Sequence, residues 1–192
     1  MTTQKTYRYT LATGTEREAA LVFMEEWAYK AHGCAPPSTT GDIIVATDDT
    51  GIVGTVSLDF REDNHPFPLE AIYDFSGFST QFPFFRRSQI VQGGRWFSKH
   101  PKSSVSRELV HTLAEYSLAK GARYLMVEMK DHATARLEEL QIQFVVLHGL
   151  KPYTEHIPTT GRTYYSTPPL PRPAFAHLES LLITPTLHLL NM

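Results

Sequence analysis

Residues 88–98 read SQIVQGGRWFS, a β-favouring run interrupted by the adjacent glycines Gly93 and Gly94. Paired glycines inside a strand mark a bulge, or a place where a ligand or another backbone comes close. Beyond Lys102, Ser103 or Ser104 can cap a helix that buries Leu109, Leu113 and Tyr116 and stops at Gly121. Residues 122–129, ARYLMVEM, then form a nearly continuous apolar run of the kind buried on both faces of a sheet. The centre of the chain is therefore a strand, helix, strand unit, and the paired glycines leave space for a ligand beside it.

Towards the N-terminus, TYRYTLA (residues 6–12) alternates as a half-buried strand does, and Thr15 with Glu18 reads as a capping box opening a helix. Ala20, Phe23, Met24, Trp27 and Ala31 recur at helical spacing as a core-facing stripe, and Gly33 sits at the C-cap position. DIIVATD and GIVGTVSLDF, separated by Asp48, Asp49, Thr50 and Gly51, predict a β-hairpin. The Phe- and Pro-rich residues 61–85 contain a short helical candidate, PLEAIYDF.

Towards the C-terminus, residues 132–140 predict a helix, and residues 143–153 and 161–167 two further strands, the last pair antiparallel. Residues 1–170 are thus expected to form one domain, with residues 171–192 as a proline-rich turn and an apolar helical tail broken near Pro185. That tail could cover an acyl channel or a homodimer interface.

A chain of 192 residues with 42% apolar and 20% charged residues can bury a core and lacks the signature of disorder. Its formal charge of -2 supplies no global basic field, which argues against nucleic acid as a partner, as does the absence of any nucleic-acid-binding motif. The N-terminus has no apolar leader and no apolar run approaches a membrane span, so a cytoplasmic location without membrane insertion is expected. The single cysteine, Cys34, forbids an internal disulfide and reads as a loop or packing residue. The nine histidines show neither HExxH nor a tight cluster, so no metal site is expected.

The order of elements resembles that of the GNAT superfamily over residues 5–167, implying an α/β (α+β) fold with a mixed, mostly antiparallel twisted sheet, flanking helices and a bulged central strand. GIVGTVSLDF is similar to a GNAT strand, and VQGGRWFSKHP with the helix ending in KGARYL resembles the acyl-carrier site. REAALVFMEEW and PLEAIYDF are similar to segments of N-acyl amino acid synthases and acyl-homoserine lactone (autoinducer) synthases. HPKSSVSREL stands where an acetyltransferase has a glycine-rich turn closing around the diphosphate of coenzyme A.

This resemblance implies no tightly bound cofactor and an acyl-thioester co-substrate, acyl carrier protein (ACP) or CoA. The backbone of Gly93, Gly94, Arg95, Trp96 and Phe97 is expected at the thioester and its pantetheine arm, with Lys99, Lys102, Ser103, Ser104 and Arg107 at the phosphate. Residues 86–107 hold six Lys or Arg and no acidic residue, a local basic patch suited to an acidic carrier protein.

The Glu-x-x-Arg motif of the lactone synthases corresponds to residues 92–95, where Gln92 replaces the Glu. An amide cannot accept the amine proton, so Gln92 is expected to orient or hydrogen-bond. Glu128, Glu70 or a water chain then remains as base, and Tyr153 or Tyr164 as proton donor to the thiolate. Trp27, Glu70, Phe82 and Phe84 are candidates for the substrate site, the last two with Phe78 and Phe85 as lining of an acyl channel.

The expected activity is transfer of a medium or long acyl group from an ACP or CoA thioester to a small amine such as an amino acid. A short-chain acetyl-CoA dependent N-acetyltransferase and a non-catalytic scaffold for acyl thioesters or carrier protein are the alternatives.

Overall fold

The predicted hairpin is present: β2 (Asp42–Asp48) and β3 (Gly51–Phe60) pair antiparallel on either side of Asp49 and Thr50. Asp48 Oδ1 accepts from the Thr50 N–H at 2.8 Å and from its hydroxyl at 2.6 Å, while Gly51 takes φ 111°, which closes the turn. These features belong to a computed structural model, which describes residues 6–35, 39–60, 66–75, 86–100, 104–139, 142–150 and 152–183.

β1 (Arg8–Leu11) lies beside β2, and β4 (Ile90–Ser98), β5 (Tyr124–Met129), β7 (Arg172–His177) and β6 (Val145–Val146) complete a seven-stranded sheet of order β1-β2-β3-β4-β5-β7-β6. Every neighbouring pair is antiparallel except β4 with β5. The sheet is thus mixed and mostly antiparallel, as expected.

α1 (Gly14–His32) packs Ala20 and Met24 against Ile43 and Val45 of β2. It begins two residues earlier than the Thr15–Glu18 capping box implies, because Thr13, in an extended conformation, is its N-cap. Its buried face runs through Ala20, Phe23, Met24 and Ala28, whereas Ala31 is exposed and Trp27 half-buried. Gly33 ends the helix as expected, at φ 69° with its N–H donating to Tyr29 O.

α3 (Ser104–Ala119) covers the opposite face, burying Val105, Leu109, Leu113 and Ala114 in the main core with Ile44, Val56, Leu58, Val91 and Leu125. Tyr116 is only half-buried there, since its hydroxyl reaches Asp42 Oδ2 at 2.7 Å. α2 (Pro68–Ile72), α4 (Asp131–Glu139), α5 (Arg162–Ser166) and α6 (Leu178–Leu181) complete the helices of the described residues.

Two expectations for the C-terminal third are corrected. Residues 161–167 do not form a strand, since residues 162–166 are α5: Tyr164 and Tyr165 both line one cavity, which adjacent strand residues, pointing to opposite faces, could not do. The missing strand is β7, in the segment read as a proline-rich turn leading into the C-terminal tail. It lies between β5 and β6 and buries Ala174, Phe175 and Ala176, so residues 172–177 belong to the sheet. Pro171 and Pro173 gave this stretch the signature of a turn.

Two irregularities at the centre position the site. β4 and β5 pair at Ile90↔Tyr124, Val91↔Leu125 and Gln92↔Met126, and no pair beyond Gln92 is formed among the described residues. Between Ser57↔Gly94 and Thr55↔Phe97, β4 carries Arg95 and Trp96 opposite Val56 alone, a β-bulge. The residue in the left-handed region is Arg95, at φ 51°, not either glycine. No helix among the described residues is long and apolar enough to cross a membrane.

Candidate active site

Where β4 leaves β5, a cavity of ≈ 160 Å³ opens on the face carrying α1, α2 and α5. Its wall includes Gln92, Gly93, Gly94, Arg95 and Phe97 of β4 and Glu128 of β5. His32 and Cys34 from the end of α1, Leu69 and Ile72 of α2, and Tyr164 and Tyr165 of α5 also line it.

Glu128 is the carboxylate of this wall. Tyr165 donates its hydroxyl to Glu128 Oε2 at 2.8 Å, and Tyr73 donates to Oε1. Burial pushes the Glu128 carboxyl up to about 7, against the two phenol hydroxyls and the Lys130 ammonium, which favour the anion. A carboxyl poised there can take a proton near neutral pH. Lys130 is itself buried: its Nζ donates to Thr167 O at 2.8 Å and lies 4.7 Å from the centre of the Tyr164 ring, and burial lowers its pKa.

The bulge is tied down from β3. The buried Ser57 hydroxyl donates to Gly94 O at 3.1 Å, and the buried Thr55 hydroxyl to Arg95 O at 3.3 Å. Arg95 Nη1 donates to Ser57 Oγ at 2.9 Å and stands 3.8 Å from Asp59 Oδ2. Burial lowers the Arg95 pKa and Asp59 opposes this; a guanidinium stays charged in either case. Gly93 is required by close approach, since a Cβ there would come within 2.8 Å of Leu125 Cδ1.

Of the residues predicted from sequence, Glu128, Gln92, Gly93, Gly94, Arg95 and Phe97 are brought together on this wall. Gln92 is buried and its Oε1 accepts the Leu69 N–H at 3.0 Å, which anchors the start of α2 to β4. Trp96 points away into the main core, where its indole N–H is buried without a partner. Ser104 is exposed at the start of α3 and Arg107 is half-buried one turn on, while Lys99 Nζ lies 5.5 Å from the Phe23 ring centre.

Other candidates sit elsewhere. Tyr153 is exposed, with its hydroxyl on Asp74, so it is not brought to the cavity; Tyr164 and Tyr165 hold that place. Glu70 caps α2, accepting the Phe67 N–H at 2.9 Å and facing Arg87 at 3.4 Å. Trp27 stacks at 5.8 Å on Phe23 and is not part of the cavity wall. Lys102, Ser103, Phe78, Phe82, Phe84 and Phe85 lie outside the described residues.

Sequence reasoning missed Tyr73, Tyr165, Thr55 and Ser57, and gave Cys34 no role although it lines the cavity. The only available signal was the placement of Thr55 and Ser57 on inward-facing positions of an otherwise apolar strand. Among the described residues no cluster of metal ligands occurs.

No protein-family model and no curated protein sequence matches the chain. Solved structures do. FeeM, an N-acyl amino acid synthase from uncultured soil microbes, aligns with a TM-score of 0.65 at 11% identity, over 93% of this chain and 94% of its own. The AHL synthase LasI aligns with a TM-score of 0.57 at 10% identity, over 91% of each chain. An acetyltransferase of the GNAT family from Staphylococcus aureus aligns with a TM-score of 0.55 at 10% identity, over 90% of this chain and 99% of its own. With its seven-stranded, mostly antiparallel sheet opened between β4 and β5, this chain has the GNAT fold.

Proposed function

We propose that the chain is an N-acyltransferase that moves an acyl group from an ACP or CoA thioester to a small amine such as an amino acid. The observation that carries this reading is Glu128, a carboxyl poised near neutrality on the wall of a cavity bounded by the bulge of β4. The amine nitrogen attacks the thioester carbonyl, Glu128 accepts the amine proton, and the bulge backbone faces the oxyanion. Collapse expels the thiolate, which takes up the proton held by Glu128 and restores the carboxylate. Glu128 supplies the proton acceptor that Gln92 cannot, which weighs against a non-catalytic scaffold.

The donor's phosphate would meet the start of α3, with Ser104 and Arg107 beside it. A medium or long acyl chain is the reading favoured by the likeness of REAALVFMEEW and PLEAIYDF to segments of the N-acyl amino acid and acyl-homoserine lactone synthases. The ≈ 160 Å³ of the cavity favours a second one, an acetyl-CoA dependent enzyme, since that volume suits a short acyl group and an amine better than a long chain.

The experiment is thiol release from a panel of acyl-CoA and acyl-ACP thioesters, short to long, with and without a mixture of amino acids. Amine-dependent release from long-chain donors supports the first reading, and release from acetyl-CoA alone the second. No release from any thioester would overturn both.

A further inference from the structure

Tyr73 is buried directly after α2, and its hydroxyl carries one proton with two acceptors in reach: Glu128 Oε1 and, at 3.2 Å, the carbonyl of Pro171. Tyr165, by contrast, has Glu128 Oε2 as its acceptor. The backbone holds Tyr73 in place from two sides. Its N–H donates to Leu69 O at 2.9 Å, and the Tyr153 N–H donates to Ile72 O at 2.7 Å.

We infer that Tyr73 is a positioning residue that keeps Glu128 fully hydrogen-bonded in both of its protonation states by exchanging the acceptor of its own proton. With Glu128 ionised, Tyr73 donates to Oε1. When Glu128 takes the amine proton on Oε1, that O–H donates to the Tyr73 oxygen, and the Tyr73 hydroxyl turns to Pro171 O. No bond to carbon changes and no charge appears on Tyr73. Both Glu128 oxygens and the Tyr73 hydroxyl have a partner before and after, so the proton can be taken up and returned without leaving any of them unsatisfied.

Two further observations agree. Burial beside Glu128 drives the Tyr73 hydroxyl far above the ordinary tyrosine range, so it stays protonated throughout. The other titratable or charged groups around the carboxyl are Tyr165 and Tyr164 of α5, Lys130 at the end of β5, Arg95 of β4, and His32 and Cys34 at the end of α1. Of these, Tyr165 alone bonds the carboxylate, through its other oxygen.

The consequence for turnover rests on the reading of Glu128 as base, but the hydrogen-bond exchange does not, so the test reads the exchange directly. Carbon-13 labelling of the proline carbonyls, followed by infrared difference spectra across the Glu128 titration, should show one carbonyl band moving to lower frequency on acidification. That band should be absent from Glu128→Gln. A Pro171 carbonyl that does not respond to Glu128 protonation would overturn the inference.

Tyr73→Phe adds a second readout. Loss of a donor to the anion should raise the Glu128 titration midpoint, followed by carboxyl carbon NMR, by about one unit. The acid limb of the pH–rate profile should move up with it. A merely structural tyrosine would lower stability and leave that midpoint where it was. If no thioester is turned over, the infrared and NMR results still decide the inference.

Discussion

Leu125 Cδ1 lies 2.8 Å from the point a Cβ on Gly93 would occupy, and Val127 Cγ1 and Leu113 Cδ1 close the same spot at 3.3 and 3.7 Å. Leu125 is buried, so it has little room to swing aside. Gly93→Ala should therefore destabilise the fold by about 1–3 kcal/mol in urea denaturation. A Cβ on Gly94 would meet only Ser57 Oγ at 3.6 Å. Gly94→Ala should keep stability within about 0.5 kcal/mol while lowering turnover, because Gly94 borders the cavity.

Glu128→Gln should reduce kcat about 10²- to 10⁴-fold in the thioester assay while leaving the circular dichroism spectrum unchanged. It also carries a signed pH effect. The carboxyl rises from 4.5 unfolded to about 7 folded, so between those values the folded state binds more protons than the unfolded state. The stabilisation this group contributes is fully present below the unfolded value and is lost as pH rises through the folded one. Wild type should lose up to roughly 3 kcal/mol more than Glu128→Gln between about pH 4 and about pH 8, measured by denaturation at each pH. Parallel curves for the two proteins would contradict the placement of Glu128.

Local patterns made the hairpin, α1, the bulged strand and the β4–α3–β5 unit readable, because each rests on interactions between residues close in sequence. Glu128 and the glycine pair were legible for the same reason, as both lie on those elements. Tyr73 and Tyr165 were not. Their approach to Glu128 spans 55 and 37 residues of chain, a distance that no periodicity reports. Likewise, nothing local distinguishes Tyr153, which faces Asp74 at the surface, from Tyr165, which faces the carboxylate. β7 was hidden by its prolines, since a strand inside a sheet is not expected to carry them. Pro173 is accommodated because β6 pairs only with Ala174 and Phe175 and the Pro173 carbonyl is still used, accepting the Leu147 N–H at 2.9 Å.

Phe175 gives the measure of how far β7 belongs to the domain. It is buried beside Met126, Leu147, Ile157 and Tyr165, in the cluster under α2 and α5 that backs the cavity. Phe175→Ala should cost about 3–5 kcal/mol by loss of burial and creation of a void, read as a lower midpoint in thermal or urea unfolding. A substitution at Ile183, which is 70% exposed, should shift the same midpoint by no more than about 0.5 kcal/mol. Equal small effects at both sites would return residues 172–177 to the status of an appendage.

Arg95 and Asp59 test whether the bulge is held electrostatically. Their side chains are 11% and 14% exposed and their charges stand 3.8 Å apart, with Thr39 Oγ1 donating to Asp59 Oδ1 at 3.3 Å. Replacing one partner removes this opposite charge from the other while it stays nearly buried, a larger effect than loss of the attraction itself. Arg95→Met should therefore destabilise by about 3 kcal/mol and Asp59→Asn by a comparable amount, while the double variant should fall well short of their sum. Arg95 also occupies a left-handed conformation, so Arg95→Gly removes the same charge but relieves the backbone. Arg95→Gly should consequently be more stable than Arg95→Met by about 1 kcal/mol in chemical denaturation, and the reverse order would show that the bulge is not strained at this residue.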